Sequence, residues 1–298
     1  MRSALWASLV VPLALFPSGC RLARMEALGS RSLATSRQFS QEGVTAMERD
    51  QWERAELLLS QAVRACPSNP DARRNYADAL WHRGARQEAV GQLAEAIRRD
   101  PENAALHARL AELRLAMGDV AAALASAEKS ADLDPKLAAA WAVRARIMRA
   151  KGQPQEALAN YHRALACSPS DREVPLEIAE AYLQTGQPER ALAALERLAE
   201  HYAPGEEPQS VLYWEGLSYL ALHRYEDALA SLGTAAEREP ATPAILVRLA
   251  EAQMALGDRS AAASTAREAL ALDPKHQPSR ELLDRVELSQ RPAAPLPR

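Results

Sequence analysis

Small and apolar residues recur along this chain on a beat of 34 residues, in short amphipathic stretches separated by turn signals. Alanine marks the beat at Ala55, Ala89, Ala123, Ala157 and Ala191, then at Ala228 and Ala262. With a recurring proline set as position 32, the units begin at Ser36, Pro70, Ala104, Ala138, Arg172, Gln209 and Pro243. Position 8 is small in every unit: Gly43, Ala77, Ala111, Ala145, Ala179, Gly216 and Ala250. Position 27 is small in all but one, where Leu198 stands. At about 100° per residue, positions 4, 7, 8 and 11 share one side of a first helix, and positions 2, 5, 6, 9, 12 and 13 share the other. Small residues at fixed points on two helices let their backbones approach, so each unit is predicted to be an antiparallel helix pair.

The turns are written as clearly. Position 15 is Gly84, Gly118, Gly152, Gly186 and Gly257, suited to the left-handed residue that ends a helix. Asp50 and His223 stand there instead in two units, and both residue types tolerate that conformation. Asp119 and Asp258 then offer N-caps, and Pro154 and Pro188 fit a first helical turn. Each unit closes on a proline, at Pro67, Pro101, Pro135, Pro169, Pro204, Pro240 and Pro274, which stops the second helix. The phase slips by three residues around Glu206, Glu207 and Pro208, predicting a longer connection between the fifth and sixth units.

A 34-residue helix-turn-helix with small residues at positions 8, 20 and 27 and proline at 32 resembles the tetratricopeptide repeat. Trp141 at position 4, Tyr182 and Tyr219 at position 11 and Tyr161 at position 24 match the large-residue sites of that family. The resemblance implies an all-α fold, a right-handed α-solenoid whose first helices line a concave groove. The units run 36–69, 70–103, 104–137, 138–171, 172–208 with the insertion, 209–242 and 243–276. Stacked units need a closing element. Residues 277–290 read as that capping helix, with Leu282, Leu283 and Val286 on its apolar side. Residues 291–298 read as a proline-rich disordered tail.

The beginning is a different object. Arg2, a run of about 13 mostly apolar residues from Ala4 to Phe16, and Pro17-Ser18-Gly19-Cys20 read as an export signal over residues 1–20. The run is too short to span a bilayer. Its ending resembles the bacterial lipoprotein signal, which implies a lipidated Cys20 and a membrane-anchored lipoprotein of the cell envelope. Arg21 after the cysteine favours the outer membrane or periplasm in that family's logic. A plain secretory signal or an uncleaved anchor, with Cys20 incidental, is the alternative. Residues 21–35 read as a flexible tether.

Composition narrows the function classes. Charged residues make up 25% of the chain with net charge −3, mixed in sign at helical spacing, so no nucleic-acid partner is expected. The six histidines are scattered, no His-Glu-x-x-His element or metal-spaced cysteine pair occurs, and the glycines are turn caps rather than a phosphate loop. We therefore expect no enzyme, no cofactor and no metal. Cys66 and Cys167 lie three units apart, beyond disulfide reach in a stacked array.

Function then falls to the outward side of the first helices. It carries Arg74, Asn75, Asp78, Trp81 and His82, then Arg109 and Glu112, Arg146 and Arg149, Glu177 and Glu180, and Arg248 and Glu251. A row of ionic sites suits a protein or peptide ligand, or simply keeps the face soluble. Asn75 and Arg109 match the family's carboxylate clamp but Ser40, Val44 and Ala105 do not, so no clamp is expected. The sixth unit differs, presenting Tyr213, Trp214, Leu217, Leu220 and Ala221. Such a stripe is either a binding hot spot or packing beside the irregular join. The expected function is a non-catalytic, exported interaction scaffold; a self-assembling or envelope-bridging subunit is the alternative.

Overall fold

The computed structural model describes residues 18–290, with side chains from residue 31 to residue 288. The described residues are helices and turns, without a strand. Helices α1 (Ser18–Met47) and α2 (Trp52–Ala65) open the series, followed by α3 (Pro70–His82) and α4 (Arg86–Arg99). Next come α5 (Ala104–Ala116), α6 (Val120–Leu133), α7 (Ala138–Ala150), α8 (Pro154–Cys167), α9 (Val174–Gln184) and α10 (Pro188–Ala199). The series ends with α11 (Gln209–Ala221), α12 (Tyr225–Arg238), α13 (Pro243–Ala255), α14 (Arg259–Leu272) and α15 (Gln277–Gln290). The fold class is all-α, an α-solenoid of helix pairs. The chain divides into two compact units, Met1–Leu106 and His107–Arg298.

Turn chemistry is what keeps the pairs in phase. Gly84, Gly118, Gly152, Gly186 and Gly257 all have positive φ, and so do Asp50 (φ 56°) and His223 (φ 57°). A side chain strains such a turn, and at His223 a 2.8 Å hydrogen bond between the ring and the Tyr225 hydroxyl helps to hold it. Asp119 and Asp258 accept from the amides of Ala122 and Ala261, satisfying free donors at the starts of α6 and α14.

Packing in the first unit centres on Ala46, Ala55, Leu59 and Ala79. The second unit has a larger core in which Tyr161, wholly buried, meets Val143, Ala145, Ile147 and Ile178. In the first and sixth units glycine at position 8 faces leucine at position 24. A Cβ on Gly216 would sit 2.4 Å from Leu232 Cγ, and one on Gly43 would sit 2.6 Å from Leu59 Cγ. A methyl at either position would force that leucine to shift, so glycine suits these two helices here despite its low helix propensity. Leu282 and Val286 of α15 are fully buried against Val247, Ala250, Ala262 and Ala266, closing the last pair.

One expectation meets a different arrangement, and others fall outside the described residues. Residues 21–35, expected as a flexible tether, lie within α1. From Ser18 to Met47 no proline interrupts a stretch rich in Ala, Leu, Arg and Met, which are strong helix formers. Cys66 is buried and Cys167 exposed, and both are free thiols. The signal segment up to Pro17, the side chain of Cys20 and the tail 291–298 lie outside the described residues. No helix among the described residues is long and apolar enough to cross a membrane.

The insertion has its own anchor. Gly205 turns the chain with φ 81°, and Arg238 of α12 donates to the carbonyls of Gly205 and Glu207, the latter at 2.7 Å. Just beyond it, Glu215 occupies position 7 of α11, a packing position that holds Leu110, Ile178 and Leu249 in other units. Burial, reinforced by Glu207 and Glu196, raises its pKa to about 7.

Candidate protein-binding face

The first helices α5, α7 and α9 bring most of the expected charges together, but as partners of one another. Arg109 pairs with Glu112 at 2.6 Å, and Glu112 lies 3.6 Å from Arg146 on the next first helix. Arg146 Nε donates to Glu177 Oε1 at 2.7 Å, and beside this rung Arg149 pairs with Glu180. Arg146 and Glu177 stand 31 residues apart, one repeat less one helical step of three, so the rungs follow directly from the register. The three arginines and three glutamates cancel.

These groups are half-buried rather than fully solvated. Their side chains retain between 20% and 32% of their exposure, so screening by salt is weaker than at an open surface. Burial works against the charge of Arg146, but the hydrogen bond it donates to Glu177 and the nearby carboxylates more than offset it, holding the guanidinium above its ordinary pKa. Behind the ladder sits Tyr161. Its hydroxyl and Glu177 Oε2 are both buried without a protein hydrogen-bond partner, and burial first, then the Glu177 charge, raises the Tyr161 pKa. Burial thus keeps the Tyr161 phenol neutral.

Helical geometry alone overstates how open this face is. Position 5 was expected to point outward, yet Ser40, Ala108, Ala142 and Val247 are buried there. Neighbouring first helices touch along that line, so the free face is narrower and centred on positions 6, 9 and 12. In the first compact unit, α3 places Arg74, Asn75, Asp78 and Trp81 half-buried, with the Arg86 guanidinium 5.5 Å from the Trp81 ring centre. His82 stacks on Trp52 at 3.7 Å, which uses its ring in packing.

Helix α11 breaks the ladder. Trp214 and Leu217 stand at the positions that hold Glu177 and Glu180 in α9 and Arg248 and Glu251 in α13. Trp214 is half-buried against Ala179, Ala191 and Leu195, and Tyr213 packs against Ala235, Ile245 and Ala252 while its ring meets Trp214 edge-on at 5.5 Å. The aromatics are thus partly committed to holding repeats five, six and seven together, and each leaves part of its ring on the surface. On α13, Arg248 pairs with Glu251 at 2.7 Å, and Arg285 of the closing helix reaches Glu251 at 3.6 Å.

Family models described as tetratricopeptide repeat match residues 41–104, 80–147, 148–212 and 219–286, which together take in most of the chain. The chain belongs to the tetratricopeptide-repeat family. Proteins of this family generally mediate protein–protein interactions and are typically non-catalytic scaffolds. Solved structures share the fold at low identity. A tetratricopeptide repeat protein from Parabacteroides merdae superposes with a TM-score of 0.62 at 16% identity, covering 85% of this chain and 99% of its own. The APC/C hetero-tetramer Cut9–Hcn1 gives 0.64 at 18% identity, over 90% of this chain and 53% of the other. YrrB, described as a TPR protein with an unusual peptide-binding site, gives 0.51 at 19% identity, over 63% and 96%. A search of curated protein sequences gives no significant match.

Sequence reasoning placed the tetratricopeptide helices' charges on one face and missed that they bind each other. The signal was present, because Arg146 and Glu177 occupy positions 9 and 6 of consecutive repeats. It also passed over Glu215, whose place at a packing position marks it as unusual, and Pro175, which stands at position 4 where Trp141 stands one repeat earlier.

Proposed function

We propose that this tetratricopeptide-repeat protein is a non-catalytic scaffold, exported and held at the cell envelope by a lipid on Cys20, which binds a protein or peptide across the first-helix face. The observation that carries this reading is the contrast along that face. The charges of α5, α7 and α9 are matched internally, so a partner gains little by competing for them. Helix α11 offers instead the uncovered parts of Trp214, Leu217 and Leu220, an apolar anchor with a charged surround. The peptide-binding site named for YrrB supports ligand binding by this fold.

Leu217→Glu tests the anchor without disturbing the scaffold, because repeats three, five and seven already hold glutamate at that position. Partners identified by proximity labelling in the native envelope should lose at least tenfold in affinity for the variant, at an unchanged melting temperature. Equal affinity would reject the α11 anchor. Cys20→Ser should change the membrane fractionation and the apparent mass of the chain; both unchanged would reject the lipid anchor.

A further inference from the structure

Three repeats solve one small problem in the same way. The carbonyl of the proline that ends each unit lies near the start of the next first helix, and a side chain at position 4 of that helix donates to it. Arg73 donates to Pro67 at 3.0 Å, the Trp141 indole to Pro135 at 2.8 Å, and Arg280 of the closing helix to Pro274 at 2.6 Å. Around Trp141 the arrangement is complete: the Arg163 guanidinium lies 4.8 Å from the ring centre, stacked as a cation over an indole.

One repeat later the same frame stands without its central piece. Adding the 34-residue period carries Pro135 to Pro169, Arg163 to Arg197 and Trp141 to Pro175. Proline has neither a ring large enough to fill the space nor a side-chain donor for the Pro169 carbonyl. It also lies in the first turn of α9, which begins at Val174 under a cap from Asp171, two residues later in register than α7. The result is a pocket of about 300 Å³ between α8, α9 and α10. Leu165, Ile178 and Leu198 form its apolar wall, and Pro169 and Arg197, the counterparts of Pro135 and Arg163 in the 34-residue register, also line it.

We propose that this pocket is a docking site for a single tryptophan side chain of a partner protein, its indole N–H donating to the Pro169 carbonyl and its ring lying against Arg197. The occupant is specified by the chain's own template in the preceding repeat, which supplies the shape, the acceptor and the stacking cation. Aromatic side chains combine large buried area with a polar tip, and this pocket provides for both. The site is separate from the first-helix face and does not depend on how that face is used.

The test uses the full-length chain and N-acetyl-tryptophanamide as probe, followed by saturation-transfer NMR. The expected result is saturable binding, about two- to tenfold weaker for the 1-methylindole analogue, which lacks the donor. Arg197→Ala, a change at an exposed side chain, should weaken the probe about two- to fivefold. Pro175→Trp should fill the pocket from within and abolish binding. Absence of saturable binding, equal binding of the methylated analogue, or binding retained in both variants would overturn the proposal. Concentration-dependent dimerisation of the wild type that Pro175→Trp removes would assign the pocket to a tryptophan of a second copy, and would equally overturn it.

Discussion

On the first-helix face, α9 and α11 hold the same positions with opposite chemistry. In α9, Glu177 and Glu180 tie laterally to Arg146 and Arg149; in α11, Trp214 and Leu217 have no charge to share and turn partly inward. The difference shows that charge on a repeat surface is no guide to ligand binding until its internal partners are known. A matched ladder fixes the spacing of neighbouring helices, whereas an apolar interruption leaves surface that a partner can cover.

The comparison is most directly broken by removing one rail of the ladder. Glu177→Ala leaves Arg146 half-buried with only Glu112, 3.6 Å away, and should destabilise the fold by about 2–4 kcal/mol in urea unfolding. A loss below about 0.5 kcal/mol would mean that the rungs behave as ordinary solvated pairs. On the α11 side, Gly216→Ala drives a methyl into Leu232 and should cost about 1–3 kcal/mol. Gly233→Ala, in the partner helix α12, meets nothing within 4 Å and should stabilise by up to about 1 kcal/mol through helix propensity alone. If both glycine variants shift the melting temperature in the same direction, the close approach at Gly216 is not what holds α11 in place.

The smallest effect is a pH dependence. Glu215 keeps some contact with water, so its influence is moderated by solvent. Its pKa rises from 4.5 to about 7 in the folded chain. The stability linked to its proton is therefore full below pH 4.5 and is lost as pH rises through about 7. Glu215→Gln should accordingly melt higher than wild type at pH 8 and no higher at pH 4. A constant difference across that range would place the effect in packing rather than in charge.

The helices, their turns and the closing element were legible because each rests on local rules. Glycine at position 15 follows from a left-handed turn, and proline at position 32 from the conformation it denies its neighbour. The face was only half legible. Helical angles sort residues around one axis, but the burial of Ala108, Ala142 and Val247 depends on a second helix, and the ladder depends on two. Pro175 shows the reverse case: the letters were in view, and their meaning emerged only once the contacts of Trp141 supplied a template. The tether was misjudged because arginine, alanine, leucine and methionine are strong helix formers and no proline interrupts them.

The close contact at Gly216 has a twin, and the pair says something about how the array is put together. Repeats one and six alone combine glutamate at position 7, glycine at 8, a non-glycine at 15, an aromatic at 17 and leucine at 24: Glu42, Gly43, Asp50, Trp52 and Leu59, matched by Glu215, Gly216, His223, Tyr225 and Leu232. Glu42 is exposed, as suits a unit whose outer side meets water. Glu215 carries that same vocabulary into an interior junction, where burial raises its pKa. Repeat six thus reads as a second opening unit, as though a shorter array beginning at residue 209 had been joined to one already complete.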